Sequence, residues 1–219
     1  MNNDNAEVSA PIDDAVPAES AALAPVRKRP KPGERRVQIL QTLAGMLEQP
    51  GADRITTAAL AAKLDVSEAA LYRHFASKAQ MFEGLIEFIE QSVFTLINQI
   101  QEREAASAAQ VQKMLTVLLQ FAEKNPGMAR VMVGDALVFE NERLLARMNQ
   151  FFERFESQLR QSLRGAADAA GSATPTVDAN AQASVLIAFA VGRLQRFARS
   201  GFKRSPTEYL DAALRMLAP

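Results

Sequence analysis

Tyr72, Arg73 and His74 stand side by side in the stretch LDVSEAALYRHFASK, and Lys78 follows closely behind them. A phenol, a guanidinium, an imidazole and an ammonium in so short a window are all hydrogen-bond donors, and the guanidinium and ammonium are charged at neutral pH. Such a set suits a polyanion: the cations pair with phosphate oxygens, and a guanidinium also fits the O6 and N7 edge of guanine. Other chemistries lack their components. The chain has no cysteine, which excludes thiolate nucleophiles, disulfides, iron–sulfur clusters and cysteine zinc sites, and its single histidine leaves only His74 for any triad or histidine metal site. The carboxylate pairs Glu140/Glu142 and Glu153/Glu156 have spacings that any solvated helix shows by chance, and no base, nucleophile or phosphate-cradling glycine loop accompanies them. Neither enzymatic activity nor a cofactor is expected.

Overall charge does not drive binding, because 25 Lys and Arg balance 25 Asp and Glu. The distribution is uneven. Ten basic residues (Arg27, Lys28, Arg29, Lys31, Arg35, Arg36, Arg54, Lys63, Arg73 and Lys78) face five acids over the segment that ends at Lys78. With 48% apolar residues the chain can bury a core, yet no run reaches the roughly eighteen apolar residues of a membrane span. The N-terminus also lacks a cationic start and apolar block, so a cytoplasmic location is expected.

Elements must hold the four donors in place. Residues 1–32, rich in Ala, Pro, Asn and Asp and ending in the basic arm RKRPK, read as a disordered tail. Residues 33–80 read as a helix-turn-helix domain, and 81–219 as a helical domain for dimerisation and partner binding. Val37, Ile39, Leu40, Leu43, Met46 and Leu47 predict a helix over about 34–49, stopped by Pro50-Gly51. Thr56 or Thr57 caps TAALAAKL, Ser67 caps SEAALYRHF, and Ser77 caps a helix running to about residue 101. That helix carries Phe82, Leu85, Ile86, Ile89, Val93, Ile97 and Ile100 in one stripe and is on the order of 35 Å long. Further helices are expected over about 107–124, 127–134, 138–165, 178–200 and 206–217, with GAADAAGSATPT as a loop. No stretch alternates as a strand does, so the fold class is all-α.

From Thr56 to Phe75 the spacing is that of a DNA-reading helix-turn-helix, with small Ala61 at the helix crossing and Asp65 at the turn position that needs positive φ. Val66, Ala70, Leu71 and Phe75 should face inward, leaving Glu68, Ala69, Tyr72 and Arg73 outward. Ala69 lets the helix sit deep in a major groove, and Arg73 can donate to guanine or phosphate. His74 falls at the border of the buried face, where structural packing and a phosphate contact are both open. Lys78 opposes the dipole of the helix it begins, a local cost that a docked phosphate would offset.

The segment ITTAALAAKLDVSEAALYRHFASKAQMFEGLIEF resembles the N-terminal domain of the TetR family. The blocks RITTAALAA, VSEAALYRHF, LIEFIE, KNPG and ERLLARMNQFFERFESQLRQSLR are similar to the nucleoid occlusion factors within it. The resemblance implies a TetR-like fold in which the N-terminal helix-turn-helix is joined by the long fourth helix to a C-terminal dimerisation domain. It implies a homodimer, one or more per site, that binds palindromic double-stranded DNA on the nucleoid and engages the division GTPase FtsZ to block ring assembly. Carried over by position, the DNA-facing set is Thr56, Thr57, Ser67, Ala69, Tyr72, Arg73, His74 and Lys78, and the FtsZ surface includes Phe88, Lys124 and Asn125. Leu96 and Gln120 depart from the basic residue and glycine expected in that surface.

Glu83, Glu87 and Glu90 stack on one face of the long helix, either as a solvated face or as a match for a partner's basic residues. The aromatic stripes of the two helices near the C-terminus predict a four-helix dimer seam through Met148, Phe151, Phe152, Phe155, Leu159, Phe189, Gly192 and Phe197, the alternative being that each stripe is used up in its own subunit's core. The competing reading is a TetR-type repressor released by a small ligand, which needs a roomy pocket in the C-terminal lobe. Met114, Met128, Met132 and Phe139 there read as packed core.

Overall fold

The computed structural model describes residues 33–49 and 54–217, so the expected tail, its basic arm and the Pro50-Gly51 stop lie outside the described residues. The fold is all-α: α1 Glu34–Leu47, α2 Thr57–Leu64, α3 Glu68–Tyr72, α4 Lys78–Arg103, α5 Ser107–Lys124, α6 Pro126–Met132, α7 Glu142–Ala169, α8 Pro175–Arg199 and α9 Leu210–Leu217. A 3-10 turn, Asp135–Leu137, joins α6 to α7.

Side-chain caps start the helices that carry the candidate site. Thr56, Ser67 and Ser77 each accept from the backbone N–H three residues on, at Ala59, Ala70 and Gln80, which satisfies an otherwise unpartnered donor. Asp65 ends α2 with φ 54°, and Val66 N–H donates back to the Ala61 carbonyl at 3.0 Å. This six-to-one bond is a Schellman closure, and it turns the chain from α2 into α3.

A single apolar cluster extends from Ile39 in α1 to Leu214 in α9. The 26 residues of α4 span about 39 Å and thread that cluster through Phe82, Leu85, Ile86, Ile89, Val93 and Ile97. Two glycines permit close helix approach. A Cβ on Gly127 would lie 2.2 Å from the Ala44 carbonyl oxygen, so α6 presses directly on α1. A Cβ on Gly165 would lie 2.7 Å from Ser107 Oγ, at the meeting of α7 with the start of α5.

Several boundaries differ from expectation. α3 stops at Tyr72, short of Phe75. α7 begins at Glu142 because Asn141 caps it, and runs on through Gly165 to Ala169, so the first part of the expected loop is helical. The last helix begins at Leu210, not at Pro206: the Ser205 and Thr207 hydroxyls hydrogen-bond Glu123 of α5 and hold the preceding residues in turns. Phe139, expected in the core, is 67% exposed.

Candidate nucleic-acid interface and partner surface

The α2–α3 turn and the start of α4 bring the whole expected DNA-facing set onto neighbouring elements. Thr56 and Ser67 spend their hydroxyl oxygens as caps. The Thr57 hydroxyl donates to Glu68 Oε2 at 2.5 Å and ties the first turn of α2 to that of α3. Ala69 is exposed, Tyr72 is 46% exposed, and Arg73 and His74 are exposed beyond the last turn of α3. Exposure of the imidazole removes the buried-histidine alternative. Phe75, next in sequence, is buried and anchors the segment.

Sequence reasoning missed what holds that end of α3. Arg36 of α1 donates from Nη1 to the His74 carbonyl oxygen at 2.9 Å, and its guanidinium lies 4.1 Å from the centre of the Phe75 ring. In helical register Arg36 precedes Ile39, Leu43 and Leu47 and heads the face of α1 that those buried residues define. An arginine at the head of an apolar stripe was the available signal.

Lys78 was expected to await a phosphate, and the structure gives it a protein partner. Its ammonium pairs with Glu140, whose side chain is only 9% exposed, and lies 5.7 Å from the centre of the Phe82 ring. Two more ion pairs continue along α4 and α7. Arg143 Nη2 meets Glu83 at 2.8 Å, and Arg147 donates to both Glu90 oxygens at 2.6 and 3.2 Å. The hydrogen bond to Glu90 raises the Arg147 pKa above its ordinary value, against the opposing effect of burial. Glu83 and Glu90 are therefore partly exposed but already paired within the chain, while Glu87 is exposed and accepts from Gln91.

Between α4 and α5, Phe88 is 46% exposed and its ring centre lies 6.0 Å from that of Phe121. Asn125 Nδ2 donates to the Phe121 carbonyl oxygen at 2.7 Å, beside exposed Lys124 at the end of α5. Phe88 thus meets the Phe121 ring and Asn125 the Phe121 backbone, with Lys124 adjacent in sequence. Leu96, about two turns beyond Phe88 on α4, is also exposed.

The expected dimer seam needs correction. Met148, Phe151, Phe155, Leu159 and Phe197 are buried within one chain, where α4, α5 and α8 cover the stripe of α7. Phe151 packs edge-on against Phe94 of α4, with ring centres 5.3 Å apart. Of the expected set, Phe152, Phe189 and Gly192 remain partly exposed. The outer face of α8 carries Val177, Ala181, Ser184, Val185 and Ala188, all exposed.

Comparison with known proteins agrees with this architecture. Residues 39–85 match the family described as bacterial regulatory proteins, tetR family, and residues 106–218 match the SlmA-like tetracyclin repressor-like C-terminal domain. The nucleoid occlusion factor SlmA of Alteromonas mediterranea is 54% identical over 181 residues, which cover 83% of this chain and 92% of that protein. SlmA of Photobacterium profundum is 51% identical, over 86% of this chain and 96% of that protein. The fatty acid degradation regulator FadR of Bacillus halodurans has the same fold, with a TM-score of 0.68 at 13% identity over 84% of this chain and 95% of that one. A capped helix-turn-helix on a long α4, with both family matches and these identities, establishes that the chain belongs to the nucleoid occlusion factor SlmA group of the TetR family.

Proposed function

We propose that this protein is a dimeric, sequence-specific DNA-binding division inhibitor. It places α3 in the major groove of palindromic chromosomal sites and engages FtsZ while bound, antagonising FtsZ polymers over the nucleoid. The observation that carries the DNA part is the outward projection of Tyr72, Arg73 and His74 from the end of a capped α3, in a chain 54% identical to a nucleoid occlusion factor. Ala69 allows close approach to the groove floor, Arg73 supplies the base or phosphate contact, and Lys78 at the start of α4 can reach a phosphate only in competition with Glu140. The Phe88–Phe121–Asn125 patch with Lys124 supports an FtsZ surface on α4 and α5. Palindromic recognition requires two copies, and the exposed small-residue face of α8 supports self-association there. Residence on the nucleoid in the cytoplasm follows from the same reading.

GTP-driven FtsZ sedimentation with the purified protein, with and without fragmented genomic DNA from the same source, tests the proposal. Loss of pelleted polymer that deepens with DNA is the expected result. DNA binding by a dimer with FtsZ unaffected in both conditions would move the assignment to a ligand-released repressor.

A further inference from the structure

We propose that Arg36 of α1 is the positioning residue for the groove-reading end of α3, an inference that rests on the DNA-binding reading above. α3 has only five residues, Glu68–Tyr72, and Arg73, His74 and Phe75 lie beyond it. Carbonyls at a helix end have no partner within the helix, and a single turn does not hold its own conformation. Two contacts from α1 supply what α3 lacks. Arg36 Nη1 donates to the His74 carbonyl oxygen at 2.9 Å across 38 residues of chain. The same guanidinium lies over the Phe75 ring, its central carbon 4.1 Å from the ring centre.

A planar guanidinium donates in its plane while stacking with its face, whereas an ammonium is a compact point charge without that fork. Arg36 therefore clamps the backbone of the segment from which Tyr72, Arg73 and His74 project. The amides of His74 and Phe75, which donate to the Leu71 carbonyl at 2.9 and 3.1 Å, report directly on that segment.

An exposed arginine beside a DNA face has one other obvious role, a phosphate contact, and the two roles leave different signatures. Hydrogen–deuterium exchange on the DNA-free chain is the first measurement. Arg36→Ala and Arg36→Lys should both speed exchange at the His74 and Phe75 amides by about tenfold, with α7 unchanged. Unchanged exchange at both amides overturns the inference, whatever happens on DNA. The second measurement is the preference for a duplex that the wild-type chain enriches from a randomised pool over a scrambled duplex of equal length. Positioning predicts that both variants lose about tenfold of that preference, and that the Lys variant keeps the wild-type salt slope. A phosphate contact predicts the preference intact in both variants and, for Arg36→Ala alone, a salt slope shallower by about 0.9; that result overturns the inference. A wild-type chain that enriches no duplex instead fails the DNA-binding reading, and exchange alone then decides whether Arg36 positions α3.

Discussion

Arg73, just beyond α3, and Lys78, opening α4, are cations in different circumstances. Arg73 is exposed and makes no side-chain hydrogen bond or ion pair among the described residues, so its donors are available to a ligand. Arg73→Ala should lower affinity for a selected duplex by about 1–3 kcal/mol, and an unchanged titration would remove Arg73 from the reading role. Lys78 is already held by the nearly buried Glu140 carboxylate. A phosphate arriving at Lys78 would compete with that carboxylate and meet its negative charge. We predict that Glu140→Gln tightens DNA binding severalfold and steepens the salt dependence by about 0.9, because the ammonium then neutralises a phosphate in full. Equal affinity and slope for the variant would show that Lys78 stays on Glu140 and does not touch DNA. The residue types at this site were legible in the sequence, since spacing alone puts Tyr72 and Arg73 outward. The pairings Lys78–Glu140 and Arg36–His74 were not, because they join residues separated by 62 and 38 positions.

Three helix starts set by local caps were read correctly, the Asn141 cap that opens α7 was missed, and starts governed by distant contacts were not legible. Thr56, Ser67 and Ser77 cap within their own turns, so the starts of α2, α3 and α4 follow from a few residues each. The start of α9 depends on Glu123, more than eighty positions from Ser205, and no local pattern reveals it. Gly127 shows the same limit. Expected at the start of a helix over about 127–134, it does lie in the first turn of α6, but its close contact with the α1 backbone has no local signature. Gly127→Ala should destabilise the protein by about 1–3 kcal/mol, since the new methyl meets the Ala44 carbonyl oxygen and backbone has to move. Gly45→Ala in α1 is the control: its Cβ meets nothing within 4 Å, and stability should rise by up to about 1 kcal/mol. Equal melting temperatures for the two variants would refute the close α1–α6 contact. The turn from α4 to α5 is set by charge: Glu104 accepts from Lys113 at 2.5 Å and from the Ala106 N–H at 3.2 Å, and these bonds hold its carboxyl below the ordinary glutamate value. A depressed folded value means that its contribution is present above the unfolded value and lost as pH falls through the folded one. Lys113→Met should raise the carboxyl midpoint in an NMR titration, and an unmoved midpoint would assign the depression to the Ala106 amide alone.

At the scale of the whole molecule, the question is which apolar surface is left for a second copy. The density of aromatics on α7 suggested a seam there, but Phe151 and Phe155 are used within the chain's own core because α4 and α5 lie across them, a layering that helical periodicity does not reveal. Exposed apolar residues also occur elsewhere, at Phe88, Leu96 and Phe139 among others, but the outer face of α8 presents a regular stripe, where Val177, Ala181, Val185, Ala188 and Gly192 recur at steps of four and three. Small side chains let two such helices approach closely, and a Cβ on Gly192 meets nothing within 4 Å in the single chain. A charge placed there should cost the monomer little, since the site is solvated, while in a dimer it would be desolvated against its own symmetry mate. Ala188→Glu should therefore retain the wild-type helical spectrum yet run in light scattering near the 23.9 kDa of one chain, not at about twice that mass. Because a palindrome rewards two linked half-site contacts, the same variant should lose at least about a hundredfold in affinity for the selected duplex while keeping weak non-specific binding. A variant that stays dimeric would move the seam off α8. A monomer with undiminished site affinity would instead separate dimerisation from recognition, and would mean that each α3 finds its half-site without help from its partner.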